Sequence, residues 1–241
     1  MNNLFDRIKY GTETIKDPLK NDEFSYGKII AKEKECNNCR ACINICALDA
    51  IRINTNEFGE NVISVNNKKC IYCRNCVDIC PNSVLEMTSD YKMAELAGDK
   101  LREKIYSIFK RSLVLRVVDT GSCNACMSEL SALQNTFYDI SRFGINVAAS
   151  PRHADGLVVT GVVTINMKEA LEKTYNAMAE PKIVIAVGSC AYNGGMFKEG
   201  DGVYGVLKNI LPVDLVIPGC PPSPQAIIFG LLKLMDRIKT D

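Results

Sequence analysis

The chain has 241 residues, 47% of them hydrophobic, with 29 basic and 28 acidic side chains and a formal net charge of +1. That balance gives no basic face to argue for nucleic acid, and no apolar run approaches the ~20 residues of a membrane-spanning helix. Twelve cysteines stand against a single histidine, His153, so any metal chemistry here is sulfur chemistry, and in a reducing cytosol clustered thiols are more often metal ligands than disulfides.

Residues 1–27 are polar and mixed in charge, with a break at Asp17-Pro18. Leu4, Ile8 and Ile15 are too sparse to define a packed face, so this stretch reads as an arm, lying on a neighbour or partly disordered. The first residues hold neither an apolar signal core nor twin arginines. A cytoplasmic protein is expected.

Residues 28–88 contain an internal repeat. Cys36, Cys39, Cys42 and Cys46 recur as Cys70, Cys73, Cys76 and Cys80, each 34 residues later. The match reaches beyond sulfur, pairing Arg40 with Arg74, Ile43 with Val77, Ile45 with Ile79 and Ile51 with Leu85. Between the halves, residues 51–53 and 62–65 read as a hairpin with its turn near Phe58-Gly59. Each half is C-x2-C-x2-C-x3-C, and the segment closely resembles the bacterial two-cluster ferredoxins. That resemblance implies crossed ligation: Cys36, Cys39, Cys42 and Cys80 on one 4Fe–4S centre, and Cys70, Cys73, Cys76 and Cys46 on the other. Pro81 after Cys80 fits the pattern, whereas Ala47 after Cys46 departs from it at the cost of a turn preference. The competing reading is a pair of four-cysteine zinc sites. Zinc modules usually hold two C-x2-C pairs well apart, whereas here the third thiol follows three residues after the second in both halves.

Residues 89–112 read as a helical linker, with Ala97, Leu101, Ile105, Ile108 and Phe109 on one face and Lys100, Lys104, Lys110 and Arg111 elsewhere. A helix packed on its own domain and an interfacial helix at the lipid headgroups both fit.

Residues 113–241 alternate strand and helix. Strands are expected at 113–118, 145–148, 156–160, 182–187 and 213–217. Helices are expected at 128–134, at 167–178 and, after a Cys-Pro-Pro-Ser-Pro start, at 224–238, the last two amphipathic. Near-continuous apolar strands alternating with helices predict an α/β fold, a flavodoxin-like parallel sheet sandwich preceded by the small α+β ferredoxin domain. No G-x-G-x-x-G follows the first strand, so a dinucleotide site is not supported. Three strands end in cysteine-bearing loops, at Cys123 and Cys126, at Cys190 and at Cys220. If the strands run parallel, four thiols meet at one sheet edge, a set that suits zinc or an iron–sulfur cluster.

The stretches Gly-Ser-Cys-Asn-Ala-Cys at 121–126, Ser-Pro-Arg-His-Ala-Asp at 150–155, Thr-Gly-Val-Val-Thr at 160–164, Gly-Ser-Cys-Ala at 188–191 and Pro-Gly-Cys-Pro-Pro at 218–222 carry a second resemblance. Residues 111–235 resemble the small subunit of energy-converting nickel–iron hydrogenases of the formate hydrogenlyase type, and are similar to the complex I subunit that carries the terminal cluster. The resemblance implies that Cys123, Cys126, Cys190 and Cys220 ligate a proximal 4Fe–4S cluster. Two residues separate Cys123 from Cys126, as in hydrogenases, whereas complex I has adjacent cysteines. Two features depart from the family: the ferredoxin repeat is fused to this subunit, and Met127 follows the second loop cysteine, with Glu129 two positions on. Arg152, placed with His153 in a loop near the cluster edge, would hydrogen-bond near the cluster or pair with Asp155.

Twelve cysteines thus divide into three sets of four, and three 4Fe–4S clusters are expected. No acid–base pair, nucleophile or substrate pocket of the chain's own is identified, so its chemistry is one-electron transfer. The resemblance implies an electron-transfer subunit of a membrane-associated oxidoreductase, peripheral on the cytoplasmic face. Its partners would be a hydrogenase-like large subunit bearing nickel–iron, membrane-arm subunits and other ferredoxin-type carriers. The alternatives are a complex I-like subunit whose large partner lacks nickel, a free-standing soluble electron carrier, and a zinc-stabilised interaction module.

Overall fold

The computed structural model describes residues 9, 11–20, 26–32, 36–59, 61–96, 109 and 111–238. The ferredoxin-like part pairs β1 (Ile29–Ala31) antiparallel with β4 (Leu85–Met87). Between them lies the hairpin of β2 (Ile51–Thr55) and β3 (Asn61–Val65), with Gly59 at its turn. Two short helices, α1 (Ala41–Ile45) and α2 (Asn75–Asp78), carry Cys42 and Cys76. Eleven buried residues make its core and three of them are cysteines, Cys42, Cys70 and Cys76. So small a core holds little stability by itself, and the thiols stand where apolar side chains would otherwise pack.

The second part is built on a six-stranded sheet. Its strands are β5 (Glu95–Leu96), β6 (Leu113–Asp119), β7 (Ile145–Val147), β8 (Gly156–Thr160), β10 (Ile183–Val187) and β12 (Leu215–Ile217). They lie in the order β5-β12-β10-β8-β6-β7. All pairings are parallel except that of β5, which runs antiparallel to β12. Numbered by their own succession, the five parallel strands stand 2-1-3-4-5, the flavodoxin-like order expected. β8 and β10 are buried at every residue, as strands covered on both faces must be. A side ribbon pairs β9 (Val163–Thr164) with β11 (Val203–Gly205).

Helices α3 (Ala125–Ala132), α4 (Ile165–Ala177), α5 (Ser189–Asn193) and α6 (Pro224–Leu234) complete the layers. α3 begins earlier than the apolar periodicity suggested, because its first turn already holds Cys126. α6 starts as expected, with Ser223 Oγ accepting from the Ala226 N–H at 3.2 Å and Pro224 in the first turn. It was read from the sequence as an amphipathic helix over 224–238, and it is buried further than that reading implies, at nine of its eleven residues. The cause is the segment before β5: Tyr91 packs edge-on to Phe229 at 6.3 Å, and Ala94 O accepts from Lys233 Nζ at 2.9 Å. Within the stretch read as a helical linker, Glu95–Leu96 is therefore strand and Phe109 is buried in the sandwich core. Ala97, Leu101, Ile105 and Ile108 lie outside the described residues. The described part of the arm, residues 11–20, lies on its own chain: Ile15 N–H donates to Phe137 O at 2.9 Å, Thr14 Oγ1 to Thr136 O at 2.9 Å, and Tyr91 OH to Leu19 O. Among the described residues no helix is long and apolar enough to cross a membrane.

Candidate iron–sulfur sites

Strand direction does the first part of the assembly. β6, β10 and β12 are parallel, so the loops carrying Cys123, Cys126, Cys190 and Cys220 all leave the same sheet edge, where ligands bind in open parallel sheets. Asp119, the last residue of β6, folds the first loop. Its carboxylate accepts from Gly121 N–H at 3.0 Å, Ser122 N–H at 2.8 Å and Ser122 Oγ at 2.8 Å. Ser122 Oγ then accepts from Asn124 N–H at 2.9 Å, which sets Cys123 at the loop tip and Cys126 in α3. Burial pushes the Cys126 thiol up to about 12, and Cys190, Cys220 and Cys123 push it the same way. Cys190 rises to about 11 through burial and then through Cys220 and Cys123. The four thiols are therefore electrostatic neighbours.

Two glycines make room for these sulfurs. Gly188 sits at φ +89°, where a Cβ would fall 2.6 Å from Cys126 Sγ, and at Gly195, φ +49°, a Cβ would fall 2.7 Å from Cys190 Sγ. In both places the sulfur takes the space a side chain would need.

A cavity of about 220 Å³ has Cys46, Cys70, Cys73 and Cys76 in its wall, with Ile29, Ile51 and Val65 making it apolar. Cys46 is thus brought to the second run's site. Burial pushes Cys76 up to about 12, followed by Cys70, Cys73, Cys46 and Cys42. Cys42 is raised by burial and, after the opposing Ile43 N–H, by Cys80 and Cys36. Cys39 is exposed. The repeat extends to hydrogen bonds: Ala50 N–H donates to Cys46 Sγ at 3.4 Å, and Val84 N–H donates to Cys80 Sγ at 3.3 Å. Tyr72 N–H donates to Cys70 Sγ at 3.3 Å.

All three sites share one backbone device. The residue after Cys39, Cys73 and Cys123, each the first cysteine of a C-x2-C step into a helix, is left-handed: Arg40 at φ 60°, Arg74 at 69° and Asn124 at 70°. Such turns cost about 1–3 kcal/mol each at non-glycine residues. They also turn successive N–H groups to one side, forming a nest for an anion, and a thiolate-ligated iron–sulfur cluster is an anion. Cys46, Cys70, Cys73 and Cys76 stand around one apolar cavity. The donor set, the apolar cavity and the N–H···S bonds fit 4Fe–4S centres.

The two parts meet beside these sites. Ser189, 1% exposed, contacts Cys70 O with its Oγ at 2.7 Å and Gly219 O at 3.2 Å. Asn193 Nδ2 donates to Lys68 O at 2.6 Å, and Met196 lines the Cys46–Cys76 cavity from the sandwich side. Cys220 is raised by burial, then by Cys123 and by Cys73 of the ferredoxin-like part. Sequence reasoning missed Asp119, Ser189, Asn193 and Met196. An Asp-Thr-Gly-Ser run at a strand end is a turn signal that points to Asp119, whereas the other three act across a tertiary contact that no local pattern marks.

Arg152 and His153 are not where the sequence placed them. They sit in a single 3-10 turn, Pro151–His153, ahead of β8, at the sheet edge opposite the cysteines. Asp155 accepts from Val114 N–H at 2.8 Å and donates its own N–H to Val114 O at 2.8 Å, so its carboxylate clamps the start of β6. Asp214 does the same to Val184 at the start of β10. The Ser-Pro-Arg-His-Ala-Asp stretch therefore builds the sheet rather than the cluster environment.

Comparison with known proteins agrees with this class of site. Residues 35–84 match the 4Fe-4S dicluster domain, and residues 123–234 match the NADH ubiquinone oxidoreductase 20 kDa subunit family. An uncharacterized protein of Methanocaldococcus jannaschii is 52% identical over 128 residues, 53% of this chain and 86% of that protein. A probable membrane-bound hydrogenase subunit of Pyrococcus furiosus is 43% identical over 121 residues, 50% of this chain and 72% of that protein. Formate hydrogenlyase subunit 7 of Escherichia coli is 40% identical over 144 residues, 60% of this chain and 54% of that protein. The chain belongs to the NADH ubiquinone oxidoreductase 20 kDa subunit family, as the cysteine loops at 121–126, 188–191 and 218–222 led us to expect.

Proposed function

We propose that the chain is the electron-transfer subunit of a membrane-associated, hydrogenase-like oxidoreductase, and that it holds three 4Fe–4S clusters in line. When bound, the clusters supply one-electron chemistry; the chain's residues fix their order. The observation that carries the reading is the meeting of the two parts. The Cys46–Cys70–Cys73–Cys76 cavity lies against the loop of Cys220, tied through Ser189 to the Cys70 and Gly219 carbonyls. That contact supports the order in which the Cys36–Cys39–Cys42–Cys80 site is outermost and the Cys123–Cys126–Cys190–Cys220 site faces the catalytic partner. The exposed Cys39 suits exchange with a ferredoxin-type carrier.

The same reading takes residues 1–27 as an arm, 28–88 as the ferredoxin domain, 89–112 as the linker and 113–241 as the proximal-cluster domain. It assigns the large partner to the nickel–iron type, with membrane-arm subunits beyond it, on the cytoplasmic face. The hydrogenase and formate hydrogenlyase relatives support the partner class, as does the two-residue gap between Cys123 and Cys126. The test is isolation of the tagged chain from native membranes under anaerobic conditions. A large subunit with two C-x2-C pairs should co-elute and contain nickel. A nickel-free large subunit would move the assignment to the complex I side, and elution of the chain alone would make it a free carrier.

A further inference from the structure

The junction between the two parts carries a residue that neither cysteine pattern includes. Tyr26 stands just before the ferredoxin-like part, yet its hydroxyl donates to Pro221 O, the carbonyl next to Cys220. Its ring lies 6.0 Å from that of Tyr72, tilted by 40°. Tyr72 in turn lies between Cys70 and Cys73, is 7% exposed, and contacts Asn67 O at 3.0 Å and Met93 Sδ at 2.9 Å through its hydroxyl. Its N–H also donates to Cys70 Sγ. Tyr26 therefore touches the ligand loops of two sites at once, one through its hydroxyl and the other through its ring. Ser189 bridges the same two loops from the opposite element, on the Cys70 and Gly219 carbonyls.

We propose that Tyr26 is a positioning residue for electron transfer between the two parts, clamping the Cys70–Cys73 loop to the Cys220 loop together with Ser189. The inference rests on the three-cluster reading and adds to it a contact that reaches from just ahead of β1 to the carbonyl next to Cys220. Transfer between fixed centres falls steeply with their separation, so a hinge between the parts would slow it even with every ligand in place.

The test uses the full cluster-loaded chain, with Tyr26→Phe, which removes only the hydroxyl, and Tyr26→Ala, which removes the ring as well. Two signals are read: amide hydrogen exchange at Cys70–Cys73 and Gly219–Cys220, and the spin–spin broadening between the two adjacent centres in the reduced paramagnetic resonance spectrum. Loss of one hydrogen bond should raise junction exchange roughly fivefold in Tyr26→Phe, and more in Tyr26→Ala. Broadening should fall in the same order, with iron content at the wild-type level. Wild-type exchange and broadening in Tyr26→Phe would overturn the clamp. Wild-type protein with full iron but no broadening between centres would instead overturn the cluster order, and the inference with it.

Discussion

Cys220→Ser is expected to abolish or distort the sandwich-part cluster while the two N-terminal centres still accept electrons from an external donor. Cys220 is the single thiol that the last parallel strand brings to the site, and no other cysteine lies in its loop. That loop is stiff, with prolines at 218, 221 and 222 fixing φ, and its Gly219 carbonyl is held by Ser189 N–H at 2.9 Å. The backbone therefore cannot swing a substitute into place. Electron delivery to the large subunit should fall by orders of magnitude, because the relay then has a gap beside the catalytic partner. Cys220 also neighbours Cys73 across the junction, so the variant should lose the broadening on the second ferredoxin-type signal as well. The measurement is the dithionite-reduced spectrum of the variant set against activity of the reconstituted complex. Near-normal activity without the proximal cluster would mean that electrons take another route.

Cys46→Ser should perturb the same centre as Cys73→Ser, although Cys46 belongs to the first cysteine run. The physical reason is the cavity wall. Cys46 faces the same apolar space as Cys70, Cys73 and Cys76, and Ala50 N–H, donating to its sulfur at 3.4 Å, holds it there. By the repeat, Cys80 with Val84 N–H at 3.3 Å should belong with Cys36, Cys39 and Cys42. Paramagnetic resonance of Cys46→Ser, Cys73→Ser and Cys39→Ser distinguishes the two pairings. The first two should alter one signal and the third another; a shared defect in Cys46→Ser and Cys39→Ser would overturn the crossed assignment. Each of the three variants should also loosen the ferredoxin-like fold, because it weakens a centre whose other cysteines, Cys42, Cys70 and Cys76 among them, make up part of the core, and cluster binding there is also folding energy.

The features that sequence made legible were local ones. The 34-residue repeat and the strand–loop–cysteine pattern were enough to foresee the sheet order, the hairpin at β2–β3 and the convergence of the cysteine loops of β6, β10 and β12 on one sheet edge. Each is fixed by backbone periodicity or by a short ligand run. What was not legible depends on how elements meet. α6 looked amphipathic because Lys233 and Gln225 interrupt its apolar run, yet Tyr91, Ala94 and β5 cover it. Arg152 looked like a cluster neighbour because its motif resembles the family's, but the start of β8 places it at the far sheet edge. The roles of Ser189 and Tyr26 were not legible, although Ser189 stands in the Gly-Ser-Cys-Ala stretch, since a hydroxyl that bridges two loops far apart in sequence leaves no local pattern.

The central claim is that all twelve thiols serve three cubanes in one chain. The most direct measurement is iron and acid-labile sulfide in the anaerobically purified protein. The account predicts about twelve of each per chain, four of each per cubane. Stoichiometric zinc with no labile sulfide would contradict it.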